Sequence, residues 1–462
     1  MSTAIERQAS AHEPESRAAF LQVLGAAVGG VALQLTPGAA AAQKLKLDLS
    51  LGSQVVVSSN AARAAGGRSD LMLDLMLSVR VQSHGSGLHL DMNVGAIARV
   101  HAQGTADNRI EPQVDIKGTA QVVEGWVALD GTVSATSAST DPFGEQGARQ
   151  DELSTEARRR YQAGLTPRLR RELGEDWVLQ GASAHTWQRT DDPQGTVGSR
   201  ETTHLEDTSL RIERRARPLG VSAEVRRQRQ FNDAALRNGT VLAIDAARVG
   251  ASYRVSPNLV AGLVAGRERS SYLTRDDTDN LYGLNLEWSP NERTWFRGAA
   301  EHRFFGQAYD MAFSHRSPFM AISASLSRQP SVGTSTLGVG TAGSSVASLL
   351  DGLLTTRIPN PIDRSAAVNR LITERGLPPT LGQATEVFDQ TPQLVRNGAV
   401  SLVLLGVRHT VALSVFSQKA EELRRDGELS LGLSGSDFRQ RGASAVFSRR
   451  LSPTMTASLS VD

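Results

Sequence analysis

The chain has 462 residues, of which 40% are hydrophobic and 21% are charged, and its formal net charge is only +2. These values exclude an intrinsically disordered tail and a helical membrane protein with many spans. The 50 basic residues nearly balance the 48 acidic ones and form no basic tract, so nucleic acid is not expected as a partner.

Residues 1–42 are predicted to be a secretory signal peptide. Arg17 precedes an uncharged run over residues 18–35, and small residues follow before the first strand. This order is typical of export signals, and we place cleavage near Ala42. The run is just long enough for an uncleaved membrane anchor, but its glutamines and glycines favour cleavage. The chain has no cysteine, which excludes disulfide bonds and a lipoprotein anchor.

Residues 44–51, KLKLDLSL, begin a long series of alternating segments. Leucines alternate with polar residues, so one face of this strand is apolar and the other is polar. The pattern continues through about nineteen candidate strands, which at ~10–12 residues are often longer than the typical ~5–6. After the first, the predicted strands are 71–82, 88–100, 110–122, 127–136, 158–169, 177–188, 204–214, 221–227, 245–255, 259–267, 280–288, 293–303, 308–316, 319–327, 397–405, 409–418, 438–449 and 455–462.

Short turns and long polar connections alternate along the chain. Three short turns share the order large apolar residue, Ser, Pro, then Asn or Thr, at residues 255–258, 288–291 and 451–454. Serine is favoured at the first position of a β-turn and proline at the second, so hairpin turns are predicted there. Most odd-numbered strands are instead followed by longer connections, for example 137–154 and 270–279.

Long strands, short turns at one end, long loops at the other and an export signal predict an all-β fold. We expect a large antiparallel up-and-down transmembrane β-barrel of about 18–22 strands, of the bacterial outer-membrane type. A closed barrel can cross hydrocarbon because it leaves no strand edge unpaired. The alternative is a soluble exported β-sandwich or β-helix. The aromatic content of only 5% favours that alternative, because outer-membrane barrels carry aromatic girdles.

In such a barrel the polar face of each strand lines the lumen. The candidate lumen-facing residues are Lys44, Lys46, Asp48, Arg80, Asp91, Glu111, Asp115, Lys117, Arg211, Glu213, Glu224 and Arg226. If the many arginines between residues 158 and 229 point inward, the lumen attracts anions such as an acidic polysaccharide. Alternatively, Arg211 and Arg226 pair with carboxylates such as Glu213 and Glu224, and this is the simpler interpretation.

Residues 329–393 form a large insertion on the long-loop side. Helical spacing is followed by Val346, Leu349, Leu350, Leu353 and Leu354. Asn360 and Pro361 predict the start of a second helix that ends near Gly376. Two roles are open for this insertion: a plug or lid that gates the pore, or a small helical cap packed on the outer loops. The cap is the simpler of the two.

Other motifs carry little chemistry. GVGTAG at residues 338–343 has the spacing of a dinucleotide fingerprint but lacks a βαβ unit, so a flexible linker is predicted. DDTDN at residues 276–280 lacks the glycine and distal glutamate of a calcium loop, so an acidic surface turn is predicted. The nine histidines are scattered and there is no Gly-x-Ser-x-Gly. We therefore expect no catalytic residue, no metal and no cofactor.

Several stretches together resemble one known family. They are LEWSPNERT at 286–294, HRFFG at 302–306, FSHRS at 313–317, DPFG at 141–144, and RQRGAS with SRRLSP within 439–453. From about residue 44 onward the chain resembles the outer-membrane β-barrel proteins associated with the PEP-CTERM/exosortase protein-sorting system of exopolysaccharide-producing Gram-negative bacteria. The resemblance implies an integral outer-membrane protein linked to exopolysaccharide and sorting loci, and it implies no catalytic residues.

We therefore expect a pore, or an export or assembly component, for exopolysaccharide or exosortase-processed protein, with outer-membrane lipid as its surroundings. The alternative is a non-conducting structural or adhesion barrel that binds surface polysaccharide through its long loops. A barrel-embedded hydrolase is a third and weaker hypothesis. The odd strand count and the end at Asp462 predict one or more further strands beyond this sequence.

Overall fold

The structure is a computed structural model that describes residues 44–58, 69–85, 87–104, 108–139, 157–191, 201–232, 240–272, 275–331, 346–375, 377, 381, 393–423, 438–452 and 455–461. The predicted signal peptide and the GVGTAG segment lie outside these residues.

Nineteen β-strands and two α-helices form the described part of the chain. The strands are β1 (Lys44–Ser58), β2 (Asp70–His84), β3 (Leu88–His101), β4 (Arg109–Val123), β5 (Val127–Ser139), β6 (Ala157–Leu173), β7 (Trp177–Asp191), β8 (Glu201–Arg214), β9 (Leu219–Asn232), β10 (Thr240–Ser256), β11 (Leu259–Tyr272), β12 (Arg275–Asn291), β13 (Thr294–Arg303), β14 (Gly306–Arg316), β15 (Met320–Ser331), β16 (Gln393–Leu405), β17 (His409–Glu422), β18 (Phe438–Arg450) and β19 (Thr456–Val461). The helices are α1 (Val346–Leu354) and α2 (Pro361–Arg375), and both lie between β15 and β16 in the chain.

Each strand pairs antiparallel with the next one along the chain, so the sheet is one continuous meander. The fold is the predicted large antiparallel up-and-down β-barrel. Among the described residues β1 pairs only with β2 and β19 only with β18, so no hydrogen-bonded pairing joins the two ends of the sheet.

The register defines two faces that run through the whole sheet. The lumen face carries Asp48 opposite Arg80, and the outward face carries Leu47 opposite Val81. Many outward side chains are exposed: Leu51 retains 82% and Leu263 retains 63% of its full accessible surface. A soluble sandwich would bury such residues between two sheets, whereas all described strands here belong to one sheet. An apolar exterior of this extent requires a lipid covering.

Six exposed aromatic side chains lie in the short turns or within about four residues of them. They are Trp126, Trp177, Tyr253, Trp288, Phe319 and Phe447. Aromatic side chains at a membrane interface are typical of outer-membrane barrels, and these six lie at one such level, so the aromatic content is compatible with a barrel. The low content therefore does not favour the soluble alternative.

Several strands are longer than predicted from the sequence. β11 and β12 approach each other to within two residues, so the predicted long loop at 270–279 is wrong. The predicted acidic turn at 276–280 is wrong for the same reason, because these residues belong to β12. Arg269 and Asp276 form an ion pair across the two strands at 3.6 Å. Cross-strand charge pairs of this kind support a ladder that polar composition alone assigns to a loop.

The three Ser-Pro segments differ in how they make turns. Pro257 and Asn258 link β10 to β11 as predicted. Residues 289–291 instead complete β12, and Glu292 and Arg293 form the turn. The register shifts between Trp288 and Asn291, which accommodates a proline that has no N–H to donate to the ladder. The third segment lies between β18 and β19, where Ser452 and Met455 exchange backbone hydrogen bonds.

No helix in the ranges given above is long and apolar enough to span a bilayer.

Candidate functional site in the lumen

All of the predicted lumen-facing residues lie on one face of the sheet, the face that carries Asp48 and Arg80. The register joins Asp91 to Lys117 across β3 and β4 and Arg211 to Glu224 across β8 and β9. The remaining predicted residues occupy the alternate positions of the same strands, as the pairings of β1 to β9 show. They therefore form a polar wall and do not converge on one point.

The ion pairs of β1 to β4 at the predicted positions are solvated. Arg80 and Asp91 lie 3.3 Å apart, and both side chains are about half exposed. Lys117 pairs with Asp115 at 3.2 Å on its own strand and is also exposed. Exposed pairs of this kind contribute only ~0–1 kcal/mol each, so their role is to keep the wall wet.

The sequence analysis missed a buried ion pair on the same wall. Arg99 donates from Nε and Nη2 to the two carboxylate oxygens of Asp74, both at 2.7 Å. The two side chains are only 9% and 4% exposed. Alternation already placed both residues on polar faces, but only the register between β2 and β3 shows that they are opposite one another.

Arginines of the middle strands are largely neutralised by carboxylates. Arg211 pairs as predicted, with Glu213 at 2.8 Å and Glu224 at 3.4 Å. Arg226 instead makes a bidentate contact with Asp207, at 2.9 and 2.5 Å. The lumen wall of these strands therefore has alternating charge, which argues against a simple anion-attracting ring.

A charge ladder continues from Glu224 toward β13. Arg248 of β10 lies 3.7 Å from Glu224 and 3.4 Å from Glu301 of β13. Two strands separate β10 from β13, and their lumen faces include Gly266 and Gly283. Because glycine has no side chain, a long arginine can reach across these strands along the wall. The ladder links β8 to β13 through salt bridges as well as backbone pairing.

Near the short turns the lumen face of four strands becomes apolar. Ala321 lies opposite Val403, Val403 opposite Ala412, and Ala412 opposite Val446. All four side chains are almost completely buried. A contiguous apolar row on an otherwise polar wall requires an apolar partner inside the barrel.

The two helices of the insertion provide that partner. The predicted apolar stripe of α1 is confirmed, since Val346, Leu349, Leu350, Leu353 and Leu354 are all buried. These residues form one hydrophobic cluster with the apolar row, joined by Val368 of α2 and by Leu377 and Leu381. We call α1, α2 and these two leucines the plug.

The plug is held at the short-turn end of the barrel by hydrogen bonds. Arg316 donates to the carbonyl of Gly352 at 3.3 Å, and Arg375 donates to the carbonyl of Val407 at 3.0 Å. At the other edge, Thr456 Oγ donates to the carbonyl of Glu374 at 2.8 Å. The expected cap on the outer loops is therefore wrong, because the helices contact the lumen face beside the opposite ends of the strands. An apolar row on that face was not recognised among the many alternating positions.

The helices are also tied to each other. Arg364 of α2 donates from Nε to Asp351 of α1 at 2.7 Å, and its Nη1 donates to the carbonyls of Ile358 and Pro359 at 3.1 and 3.0 Å. These bonds satisfy carbonyls that follow the end of α1, where helical partners are absent. The two helices are therefore joined into one unit by side-chain contacts.

In the ranges that the structure describes, no group of three or more histidine, aspartate or glutamate side chains is suited to hold a metal ion. His185 and His204 stack on the outward face beside Trp187.

No protein-family model and no curated protein matches the chain. Among solved structures it is similar to the FrpB iron transporter from Neisseria meningitidis (F5-1 variant, apoprotein form), with 9% identity over 86% of this chain and 68% of that chain and a TM-score of 0.42. It is also similar to the siderophore receptor PirA from Acinetobacter baumannii, with 9% identity over 89% and 66% of the two chains and a TM-score of 0.40. It is also similar to a loop L8 deletion mutant of OmpT, an outer membrane protein of Vibrio cholerae. The identity is 10% over 56% of this chain and 93% of that chain, and the TM-score is 0.27. Likenesses this distant carry no argument about the activity of this chain.

Proposed function

We propose that the chain is an outer-membrane β-barrel whose lumen is a pore closed near its short turns by the plug. The observation that carries the proposal is the hydrophobic cluster between α1 and the apolar row of β15 to β18. The exposed apolar exterior supports a lipid surrounding, and barrels of this class place short turns in the periplasm. The plug then closes the periplasmic entrance.

The plug is suited to gating because it is joined to the wall by side chains and not by strand pairing. Undocking would break hydrogen bonds such as those to Gly352, Val407 and Glu374 and would expose the apolar row, while the ladders of β15 to β18 remain intact. A docked and an undocked state therefore share one barrel. Any ligand that binds the undocked state more tightly shifts the equilibrium toward an open pore.

Conductance in planar bilayers tests this gate. Leu350→Asp introduces an unpaired carboxylate into the buried cluster at a cost of several kcal/mol, which favours undocking by about 100-fold or more. We expect stable ion steps from this variant and from a chain lacking residues 330–392, and few from the unaltered chain. Ala366→Asp changes an exposed position of α2 and serves as the control.

If neither variant conducts, the proposal of a gated pore is contradicted. The second candidate then gains support, namely a non-conducting structural or adhesion barrel that binds polysaccharide through its long loops. One observation favours that candidate. A second buried cluster, which includes Leu242, Ile244 and Phe304, lies away from the plug, so apolar packing is not confined to the plugged end.

The cargo that we propose is exopolysaccharide or an exosortase-processed surface protein. Its support is the resemblance of residues 286–294, 302–306 and 439–453 to the barrel family associated with that sorting system. Deleting the gene in its host should reduce exopolysaccharide or sorted protein at the cell surface and retain it in the periplasm. Unchanged surface amounts of both would contradict the assignment while leaving the barrel itself unaffected.

A further inference from the structure

Basic residues lie side by side on the outward face near the long-loop ends of β15 to β18. The register places Arg328 opposite Arg396, Arg396 opposite Lys419, and Lys419 opposite Arg439. Arg441 follows two residues further along β18 on the same face. Side chains directly opposite one another have Cβ atoms ~4.5–5.5 Å apart, where like charges destabilise a sheet. We call these five residues the basic row.

Among the outward positions of β15 to β18 in the described strands, one residue is acidic. Glu421 forms an ion pair with Lys419, and Arg328 donates to the carbonyl of Gln307. Arg396 is exposed and, within the described ranges, has no carboxylate at ion-pair distance. The outward positions of these four described strands therefore carry more basic than acidic side chains.

Within the described strands, this is the one sector where outward arginine and lysine residues lie directly opposite one another. On β9 to β12 the outward Arg227 pairs with Asp245 at 2.9 Å and Arg269 with Asp276 at 3.6 Å, while Arg267 lies opposite Asn280. On β1 to β4 the outward residues near the long loops are uncharged, as at Val57, Leu71, Val100 and Ile110. If these charges served only solubility, they would be distributed around the long-loop ends of all strands. The basic row therefore requires a local explanation.

The position of the basic row matches a lipid headgroup. Along β16 the outward residues Val400 and Leu404 are exposed and apolar, and Arg396 follows them toward the long loop. It therefore lies at the border of an apolar band that in such barrels is about 25 Å tall. Gly398 and Ser417, which lie opposite one another just below the row, carry little or no side chain.

We infer that the basic row binds phosphate groups of anionic lipids in the outer leaflet. Guanidinium groups hold phosphate oxygens with two parallel hydrogen bonds, and a phosphate between neighbouring basic residues removes their mutual repulsion. The inference rests on the proposed outer-membrane location, because a bilayer presents phosphates at this level of the barrel.

Native mass spectrometry of the full chain in detergent tests the inference, with diphosphoryl lipid A and phosphatidylcholine as the probes. The double variant Arg396→Gln, Arg441→Gln should bind diphosphoryl lipid A about tenfold or more weakly than the unaltered chain. Its matched control is Arg408→Gln, Arg449→Gln, which removes the same charge from the short-turn end and should bind as the unaltered chain does. Phosphatidylcholine should bind all three equally.

Three results would overturn the inference: equal binding by the unaltered chain and the first variant, equal loss in both variants, or displacement of the lipid by excess inorganic phosphate, which would indicate a free-anion site. Heat-modifiable migration and insertion into bilayers are measured on the same samples. If insertion succeeds and the lipid preference is missing, only the inference fails. If insertion fails, the outer-membrane location fails and the inference fails with it.

Discussion

At the scale of single residues, burial separates ion pairs that stabilise the barrel from those that only solvate it. Arg99 and Asp74 share a bidentate contact in a nearly dry part of the wall, whereas Arg80 and Asp91 face water a few residues away. Both pairs have the same charges and lie on the same face. Their energies differ because a buried charge that loses its partner cannot regain its solvation from water.

We expect Arg99→Ala to destabilise the barrel by about 3–5 kcal/mol, because it leaves the carboxylate of Asp74 buried and unpaired. Arg80→Ala, its matched control, removes an exposed arginine and should cost about 0–1 kcal/mol. Urea unfolding in detergent micelles measures both. Equal losses of stability would show that the contact to Asp74 is as solvated as the one to Asp91.

At the scale of elements, the sequence predicted the types of structure well and their placement less well. The nineteen strands and both helices were predicted, because period-2 and helical spacings are local properties of the chain. α2 begins at Pro361 and ends at Arg375, close to the predicted bounds, since proline at the first position and a glycine after the end are strong signals.

The location of the helices could not be predicted in the same way. Ala321, Val403, Ala412 and Val446 come from four different strands, and none is unusual where it stands in the sequence. They become one apolar row only through the register of β15 to β18. The same holds for the basic row and for the contact of Arg226 with Asp207, which depend on pairings between strands and not on spacing along one strand.

At the scale of the whole molecule, the sheet separates two solvents. Neighbouring residues of one strand face lipid and lumen in turn, so the same substitution has opposite consequences at adjacent positions. On β11, Leu263 is exposed on the outward face, while Val264 faces the lumen between Gly250 and Gly283.

We expect Leu263→Lys to reduce folding into bilayers at a cost of about 2–4 kcal/mol, because a charge enters the apolar band. Val264→Lys should be tolerated, since the two glycines beside it leave space for the amine to reach the lumen. The fraction of heat-modifiable protein after refolding into liposomes measures both effects. A reversed order of the two variants would contradict the assignment of the faces.

The insertion between β15 and β16 also has a consequence for the order of assembly. Every other pair of neighbouring strands is joined by a connection of fewer than twenty residues. β15 ends at Ser331 and β16 begins at Gln393, so the ends of this hairpin must find each other across a far longer segment, and the entropic cost of closing a loop rises with its length. The first fifteen strands can therefore form a curved sheet before the last four are added, and α1 and α2 are already present to receive the apolar side chains of β16, β17 and β18 as these arrive.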